Sequence, residues 1–391
     1  MKTVVETAVS DISKTWDCIV VGAGPAGAIV ALQLSKRGCE VLLVDKSSFP
    51  RHKVCGCCLN NAAQNSLVEA GLGDLLKSAQ AVPLHELQLF DGAKSASVVL
   101  PTSFSLSRER LDVDLINAAI AHGSQFLQNT TVSLVESAEE FQTVQLTRSE
   151  SERNYFAKAK VLIVADGLSG RTLEGREEFS TTIDGKSRFG AGVIIDEPSP
   201  FYENGKIYMA CASGGYVGLV RLEDGRLDVA AAFDPAYSRS SNGLPEATAE
   251  VLIGCGLPVP LKLMSARFSG TQVLTRRRER VAGHRLFIAG DACSYPEPFT
   301  GEGIAWALQS GLKTADLASK GIREWEPSLI AAWHDSYRRL KKQQLRSALV
   351  ARTLRNDITR RLLINTAAAF PALASRAVHY ITSVRSTAWQ G

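Results

Sequence analysis

The sequence lacks a long hydrophobic run and a strong charge of either sign. No apolar stretch approaches the about 18 residues that a membrane-spanning helix needs. The opening MKTVVETAVSDISK contains Glu6 and Asp11 and no sustained apolar segment, which is not typical of a signal peptide. The net charge of the 391 residues is only +4, so composition gives no reason to expect a nucleic-acid partner.

Cysteine is also too sparse for a disulfide-stabilised scaffold. Eight cysteines in 391 residues fit a protein of the reducing cytoplasm. Three of them, Cys55, Cys57 and Cys58, lie close together, but no second Cys/His cluster completes a ligand set, so no metal site is predicted. The remaining composition, 45% hydrophobic and 21% charged, is that of an ordinary globular protein with room for two or three domains.

The strongest pattern that is present lies between Asp17 and Asp45. Residues 18–21 predict a short buried strand that runs directly into GAGPAG at 22–27; a helix over 28–36 and a second buried strand over 41–44 follow. In such a βαβ unit the glycines let the backbone approach a pyrophosphate, and the helix N-terminus attracts its charge. Asp45 is placed to accept hydrogen bonds from a ribose. The pattern predicts a dinucleotide without naming it.

The hydrophobic periodicity of the sequence changes near residue 185. Before it, the periodicity predicts helices and strands in alternation, at 59–77, 84–89, 95–100, 108–122, 130–135, 141–146 and 159–165. Between 185 and 268, short alternating runs separated by turn signals predict an antiparallel sheet, followed by a helix over 245–255. A buried strand over 285–289 and a helix from about 303 then resume the first pattern, and 327–386 is predicted to be nearly all helical.

These patterns predict an α/β fold with an α+β insertion. A Rossmann-like dinucleotide-binding domain is interrupted by an antiparallel substrate-binding sheet and followed by C-terminal helices. The predicted boundaries are 14–83, 101–180 and 268–325 for the dinucleotide domain, 84–100 and 181–267 for the sheet, and 326–391 for the helical segment.

A second informative stretch, LFIAGDACSYPEPFTGEG, covers residues 286–303. A predicted strand ends at Gly290-Asp291, a loop rich in Pro and Gly follows, and a helix begins near Gly303. Together with GxGxxG, with ADGLS at 165–169 and with Arg108 in RxxxDxxL, this stretch resembles the FAD-dependent oxidoreductases of the geranylgeranyl reductase and para-hydroxybenzoate hydroxylase superfamily. The resemblance covers residues 17 to about 320 and implies that the dinucleotide is FAD.

The resemblance also implies which residues contact FAD. The loop FPRHKVCGCCLN at 49–60 is similar to the FPRxKxCGGGL loop of geranylgeranyl reductases, although Cys57 and Cys58 replace glycines. The implied FAD-binding residues are Gly22, Gly24, Pro25, Ala26, Gly27, Asp45, Lys46, Arg51, Cys55, Gly56, Arg108, Val132, Asp166, Gly167, Gly290, Asp291, Pro298, Gly301, Glu302 and Gly303.

Catalytic residues are less distinct in the sequence. The candidates are Cys55, Tyr216, Glu297 and Pro298; no obvious base stands out, and an oxidoreductase that relies on its flavin needs none. No second GxGxxG follows a strand and no CxxxxC redox pair is present, so a separate nicotinamide-binding domain is not expected. NAD(P)H is therefore expected to bind only transiently when it reduces the flavin.

The predicted substrate is a small apolar or aromatic molecule, such as a polyketide-like secondary metabolite, that is hydroxylated or otherwise oxidised or reduced. The sheet lacks the YxWxFP of geranylgeranyl reductases and the WxWxIP of tryptophan halogenases. Reduction of isoprenoid C=C bonds stays open as an alternative, and so does a non-catalytic prenyl-binding escort protein. The basic C-terminal helices are expected to be packed with solvated faces; a lid or a contact with an anionic membrane stays open there.

Overall fold

A mostly parallel sheet carries the dinucleotide fingerprint, and a second large sheet lies beside it. The computed structural model describes residue 4 and residues 12–149, 154–196, 200–297, 299 and 301–382. The strands, in chain order, are β1 Thr15–Val21, β2 Val41–Val44, β3 Cys58–Leu59, β4 Val82–Asp91, β5 Lys94–Ser105, β6 Gln125–Leu127, β7 Thr130–Ser137, β8 Gln142–Arg148, β9 Asn154–Val164, β10 Thr181–Ile183, β11 Phe189–Ile195, β12 Lys206–Ala212, β13 Gly215–Arg221, β14 Leu227–Phe233, β15 Ser269–Val273, β16 Arg276–Arg278, β17 Ala282–Gly283, β18 Leu286–Ile288 and β19 Ser294–Tyr295.

Helices pack on both sheets and form the C-terminal segment. In chain order they are α1 Pro25–Ser35, α2 Asn61–Glu69, α3 Leu75–Ser78, α4 Arg108–Ala121, α5 Pro235–Ser240, α6 Leu244–Gly254, α7 Gly303–Arg323, α8 Ser328–Arg355, α9 Asp357–Ala369 and α10 Pro371–Thr382. Of the helices in the described part of the chain, none is both long and apolar enough to cross a membrane.

The first sheet has the order β17-β18-β9-β1-β2-β6; β8 also pairs with β9, and β7 pairs with β8. The pairs β1–β2, β1–β9, β9–β18 and β2–β6 are parallel. All four residues of β2 are buried, as are residues 161–164 of β9, as is typical of parallel strands that are covered on both faces. This confirms the predicted α/β fold class and the predicted βαβ unit.

The second sheet has the order β15-β11-β14-β13-β12-β4-β5-β3. Its faces alternate strictly: in β12, Tyr208 and Ala210 pack toward α6, whereas Met209 and Cys211 belong to a cluster that includes residues of α8 and α9. The antiparallel sheet predicted over 185–268 is confirmed, since the pairs β11–β14, β11–β15, β12–β13 and β13–β14 are all antiparallel. β4, from outside that stretch, joins the sheet by pairing with β12 in parallel, with Lys206 opposite Glu86. Since β4 precedes β12 by more than a hundred residues, no local turn sets their relative direction.

Two expectations about elements are corrected. The single helix predicted over 59–77 is two helices, α2 and α3, separated by a turn in which Gly71 adopts a φ of +77°. Asn60 caps α2 by accepting a hydrogen bond from the Ala63 amide, so the helix begins two residues later than predicted. The C-terminal segment is helical as predicted up to residue 382; residues 383–386 of that prediction lie outside the described part.

Candidate functional site

Three parallel strands of the first sheet end at the same edge. β1 leads into Gly22, β9 into Ala165 and β18 into Gly290. Backbone hydrogen bonds hold these ends together: the Ala165 amide donates to the Val21 carbonyl at 2.7 Å, and the Ala289 amide to the Val164 carbonyl at 2.9 Å. Ligands of such sheets bind outside the carboxyl ends of the strands.

The turn after β1 places an uncapped helix end at this edge. Gly24 is the N-cap of α1 and Pro25 the first helical residue, and no side chain caps the free amides of the first turn. The Arg51 and Arg108 guanidinium groups come close, since a Cβ on Gly24 would lie 3.7 Å from an Nη2 atom of each. The turn therefore combines the positive end of a helix with two cations, which suits a pyrophosphate.

The two arginines are held by carboxylates behind them. Arg108 makes a bidentate pair with Asp112, at 3.0 and 2.9 Å, in a buried position at the start of α4. Arg51 Nη2 lies 3.6 Å from Asp45 and 3.7 Å from Asp112, and Arg51 Nε is buried with no hydrogen-bond partner among the described residues. The cations are thus positioned by the protein, and one buried donor is left for an added anion to satisfy.

Asp45 organises the same turn. Its carboxylate accepts hydrogen bonds from the amides of Ala23, at 2.8 Å, and Ser47, at 2.9 Å. The predicted contact of Asp45 with a ribose stays a prediction.

A cavity extends from this turn to the second sheet. About 1580 Å³ of space free of protein atoms lies within its walls, including space that is open to solvent. At one end it is lined by Pro25, Arg108, Asp291 and the first residues of α7, Gly303 and Ile304. α7 begins on this part of the cavity wall, with Glu302 as its N-cap residue and no side-chain hydrogen bond capping its first turn.

The other end of the cavity is apolar and is lined mainly by the second sheet. Its walls include Leu87, Ile207, Met209, Leu274 and Phe299. Small residues of the central strands, Gly190, Gly218, Ala230 and Ala232, form part of the lining. A bulky flat molecule can therefore approach the sheet closely. The C-terminal segment contributes Val378 of α10.

Comparison with known proteins identifies the group that this cavity suits. A family model described as FAD binding domain matches residues 15–348. The chain belongs to this FAD-binding family. It is 28% identical over 351 residues to the menaquinone reductase of Mycobacterium tuberculosis, covering 81% of this chain and 79% of that protein. It is 24% identical over 336 residues to conditioned medium factor receptor 1 of Dictyostelium discoideum; the match covers 79% of this chain but only 64% of that longer protein.

Solved structures show the same fold. A flavoprotein/dehydrogenase from Cytophaga hutchinsonii superposes with a TM-score of 0.79 at 18% identity, covering 96% of this chain and 94% of that one. The flavin-dependent monooxygenase PieE, solved with FAD and substrate, superposes with a TM-score of 0.76 at 18% identity, covering 95% and 73%. The family match and these structures confirm the predicted superfamily and support FAD as its cofactor. A nicotinamide reductant stays a prediction.

The residues of this chain fit FAD. The buried, unpartnered Arg51 Nε, the Arg108 guanidinium and the uncapped end of α1 form an anion site where the family fingerprint places one. Asp291 lies in the turn after β18; burial raises its pKa, and the positive charges of Lys53 and Arg108 partly offset that effect. Among the predicted FAD ligands, those that line the cavity are Pro25, Cys55, Gly56, Arg108, Asp291, Gly301 and Gly303.

Other predicted ligands lie elsewhere. The Asp166 carboxylate accepts hydrogen bonds from the Thr172 amide and hydroxyl, so it orders its own loop. Lys46 donates to Ser169, and Val132 is buried in the core of the first sheet. Glu302 is the buried N-cap residue of α7. Pro298 lies outside the described residues, and the FAD contacts predicted for all of these stay predictions.

The cysteine loop forms part of the cavity wall. Cys55 Sγ accepts a hydrogen bond from the Cys57 amide at 3.4 Å. A hydrogen bond from the Cys57 thiol lowers the pKa of Cys55 to about 6, against the effect of burial and with help from Arg108. The Cys57 thiol is correspondingly held protonated, with its pKa well above the usual range. In the described part of the chain, no three His, Cys, Asp or Glu side chains are grouped as a metal site.

Tyr216, another catalytic candidate, lies on the cavity wall beside Phe299, with ring centroids 5.1 Å apart in an edge-to-face arrangement. Tyr295 also lines the cavity. Burial raises the pKa of both phenols, so both stay protonated at neutral pH. Two hydroxyl donors are therefore available to a substrate in this region.

Glu297, a further catalytic candidate, is occupied by ion pairs. It is buried between Arg188, at 3.4 Å from Nη1, and Arg355 at the end of α8. Arg188 also pairs with Asp234 at 3.3 Å. The geometry favours a positioning role for Glu297 over proton transfer, because both carboxylate oxygens already accept from arginines.

Three charged residues of the site region escaped the sequence analysis. Arg188 and Arg355 reach Glu297 from 109 and 58 residues away. Asp228 is buried on β14 near the cysteine loop, where burial raises its pKa well above the usual range. Single charged residues in strands or helices carry no sequence pattern that would have indicated these contacts.

Proposed function

We propose that the protein is an FAD-dependent oxidoreductase that hydroxylates a small apolar or aromatic molecule, with NAD(P)H as a transient reductant. The observation that carries the proposal is the single cavity that joins the FAD-type edge of the first sheet to an apolar, small-residue surface of the second sheet. Such a cavity places a substrate against the flavin end of the cofactor and away from bulk water.

The residues have separate tasks in this proposal. Arg51, Arg108 and the N-terminus of α1 bind the pyrophosphate, and Asp291 and the N-terminus of α7 hold the flavin end. When bound, FAD supplies the electron transfer and oxygen chemistry. Met209 and the glycine and alanine residues of β13 and β14 bind the apolar body of the substrate, while the hydroxyl of Tyr216 orients a polar substituent.

Reduction of an isoprenoid C=C bond or a quinone is the second candidate. It is supported by the similarity of loop 49–60 to geranylgeranyl reductases and by the curated relatives, among which is a menaquinone reductase. In this case the protonated hydroxyls of Tyr216 and Tyr295, which line the cavity, would serve as proton donors.

Oxygen consumption by the FAD-loaded protein separates the candidates. With NADPH or NADH, addition of an aromatic substrate is expected to accelerate oxygen uptake and to give a product heavier by one oxygen atom. Product that forms equally well without oxygen, and carries two added hydrogens, would instead assign the reductase. Purified protein that is colourless and takes up no FAD would reject both candidates in favour of a non-catalytic escort.

A further inference from the structure

The C-terminal helices differ from the rest of the molecule in charge. Residues 338–382 contain ten Lys and Arg residues and one acidic residue, Asp357, whereas the whole chain has a net charge of only +4. The remainder of the chain is therefore net negative. Arg355 and Arg360 point inward to Glu297 and Asp91, but most of the other basic residues are exposed, among them Lys342, Arg352 and Arg376.

The same helices expose large apolar side chains. Each helix has a stripe of them at helical spacing, and their exposed fractions lie between 56% and 78%. The stripes contain Leu345 and Leu349 on α8, Ile358 and Leu362 on α9, and Leu373 and Tyr380 on α10. We call the exposed residues of 338–382 the C-terminal face.

Contacts between the helices bring these stripes near one another. The Arg346 guanidinium of α8 lies over the Tyr380 ring of α10, 4.7 Å from its centroid. Each of the three helices also packs against the other two. The C-terminal face therefore combines exposed basic side chains with exposed leucine, isoleucine and tyrosine side chains on three helices that contact one another.

The substrate cavity reaches this face. Leu100 and Pro101 of β5 and Val378 of α10 line the cavity. Leu100 and Pro101 also border a surface depression whose other side is formed by Arg376, His379 and Tyr380. α10 is fixed there because the Ser375 hydroxyl accepts a hydrogen bond from the Val99 amide at 3.1 Å. The apolar end of the cavity thus lies directly beneath the C-terminal face.

We propose that the C-terminal face docks on an anionic lipid bilayer. Exposed apolar stripes flanked by Lys and Arg are the pattern of a helix that lies in the bilayer interface, and no described helix is suited to span it. A second copy of the chain would bring two strongly positive surfaces together, and a nucleic acid would leave the leucines in water. Docking on the bilayer does not depend on the proposed function. Only the further step, in which an apolar substrate passes from the bilayer into the cavity, rests on the proposed function.

Vesicle co-sedimentation of the FAD-loaded protein tests the proposal. We expect binding to vesicles of phosphatidylcholine and phosphatidylglycerol in equal amounts, and little binding to phosphatidylcholine alone. Raising the salt concentration should weaken binding, because the screening length falls from about 10 Å at 0.1 M to about 3 Å at 1 M. Replacing Lys342 and Arg352 by Gln should weaken it about fivefold per residue.

A matched pair of double variants distinguishes binding through the C-terminal face from nonspecific adsorption of exposed apolar residues to vesicles. Leu362→Asp with Leu373→Asp should lower vesicle binding at least tenfold. Leu261→Asp with Met264→Asp changes two exposed apolar residues outside the C-terminal face and should leave binding unchanged. FAD content and turnover of a soluble substrate should be normal in both double variants. A failure of the docking proposal can therefore be distinguished from a failure of the proposed reaction. Absence of binding to anionic vesicles, equal losses in the two variants, or a dimer that only the first variant disrupts would overturn the proposal.

Discussion

At the residue scale, two glycines of the fingerprint, Gly24 and Gly27, have different physical tasks. A Cβ on Gly27 would lie 1.8 Å from the Gly22 carbonyl oxygen, so this glycine is required for the helix to pack on the strand. A Cβ on Gly24 would meet only the Arg51 and Arg108 side chains, at 3.7 Å, which is an ordinary contact. Gly24 is therefore compatible with a side chain in the protein itself, and its role is to leave space for a ligand.

We accordingly expect Gly24→Val to fold normally but to lose measurable FAD binding, because the side chain fills the space of the pyrophosphate. Gly27→Ala should instead lower the free energy of unfolding by at least about 2 kcal/mol, since the packed backbone must move. Urea unfolding and FAD titration of the two variants give the comparison. Full FAD occupancy in Gly24→Val would be incompatible with the site described above.

Cys55 should be the most reactive thiol of the chain at mildly acidic pH. Its alkylation rate, followed by mass spectrometry of the peptide, should rise with pH to a midpoint near 6, because the thiolate is the reactive form. Cys57→Ala should move the midpoint upward, since the hydrogen bond from the Cys57 thiol is the main stabiliser of the thiolate. A midpoint near the ordinary value of about 8.5 in the unmodified protein would contradict this environment.

At the element scale, ion pairs join the C-terminal helix α8 to the loop between β19 and α7. Arg355 reaches Glu297, which in turn meets Arg188 at the start of β11. Because Arg188 is only 1% exposed, the loss of a carboxylate partner would leave part of its charge buried and uncompensated. These ion pairs therefore hold the loop that follows Tyr295 and carries Phe299 in place beside the cavity.

Glu297→Gln should lower the free energy of unfolding by about 3 kcal/mol, the lower end of what breaking a buried pair costs, since Arg188 keeps Asp234. Glu40→Gln is the control, because Glu40 and Lys14 form an exposed pair worth at most about 1 kcal/mol. Denaturant midpoints of the two variants measure the difference. Equal midpoints would show that Glu297 is not needed to compensate Arg188.

Asp228 should make folding stability depend on pH. Its pKa is raised in the folded state, so its contribution to stability is fully present below the unfolded value near 3.8 and is lost as the pH rises through the folded pKa. Asp228→Asn should therefore be more stable than the unmodified protein at pH 8, and the advantage should shrink toward pH 4. Asp224→Asn, in the turn before β14, controls for the loss of a carboxylate. An advantage that is independent of pH would exclude ionisation of Asp228 as its cause.

At the scale of the whole molecule, the features that could be predicted from the sequence are those set by local sequence patterns. The βαβ unit follows from strand and helix periodicity and from the glycine spacing, and the two-faced second sheet follows from alternation. The parallel β4–β12 pair, the Arg188–Glu297–Arg355 contacts and the cavity wall that α10 shares with β5 join residues far apart in the chain, and no local pattern encodes them. Within the cavity, Arg108 and Asp291 were predictable from family motifs, whereas Asp228 was not.

The domain boundaries and the FAD contacts residue by residue stay predictions, and one measurement tests them together. A crystal structure of the FAD complex should show the adenosine end near Asp45, the pyrophosphate between Gly24 and Arg108, and the flavin between Asp291 and the apolar wall formed by Met209 and Tyr216. A flavin bound elsewhere, or one that fills the apolar end and leaves no space for a substrate, would contradict the proposed function.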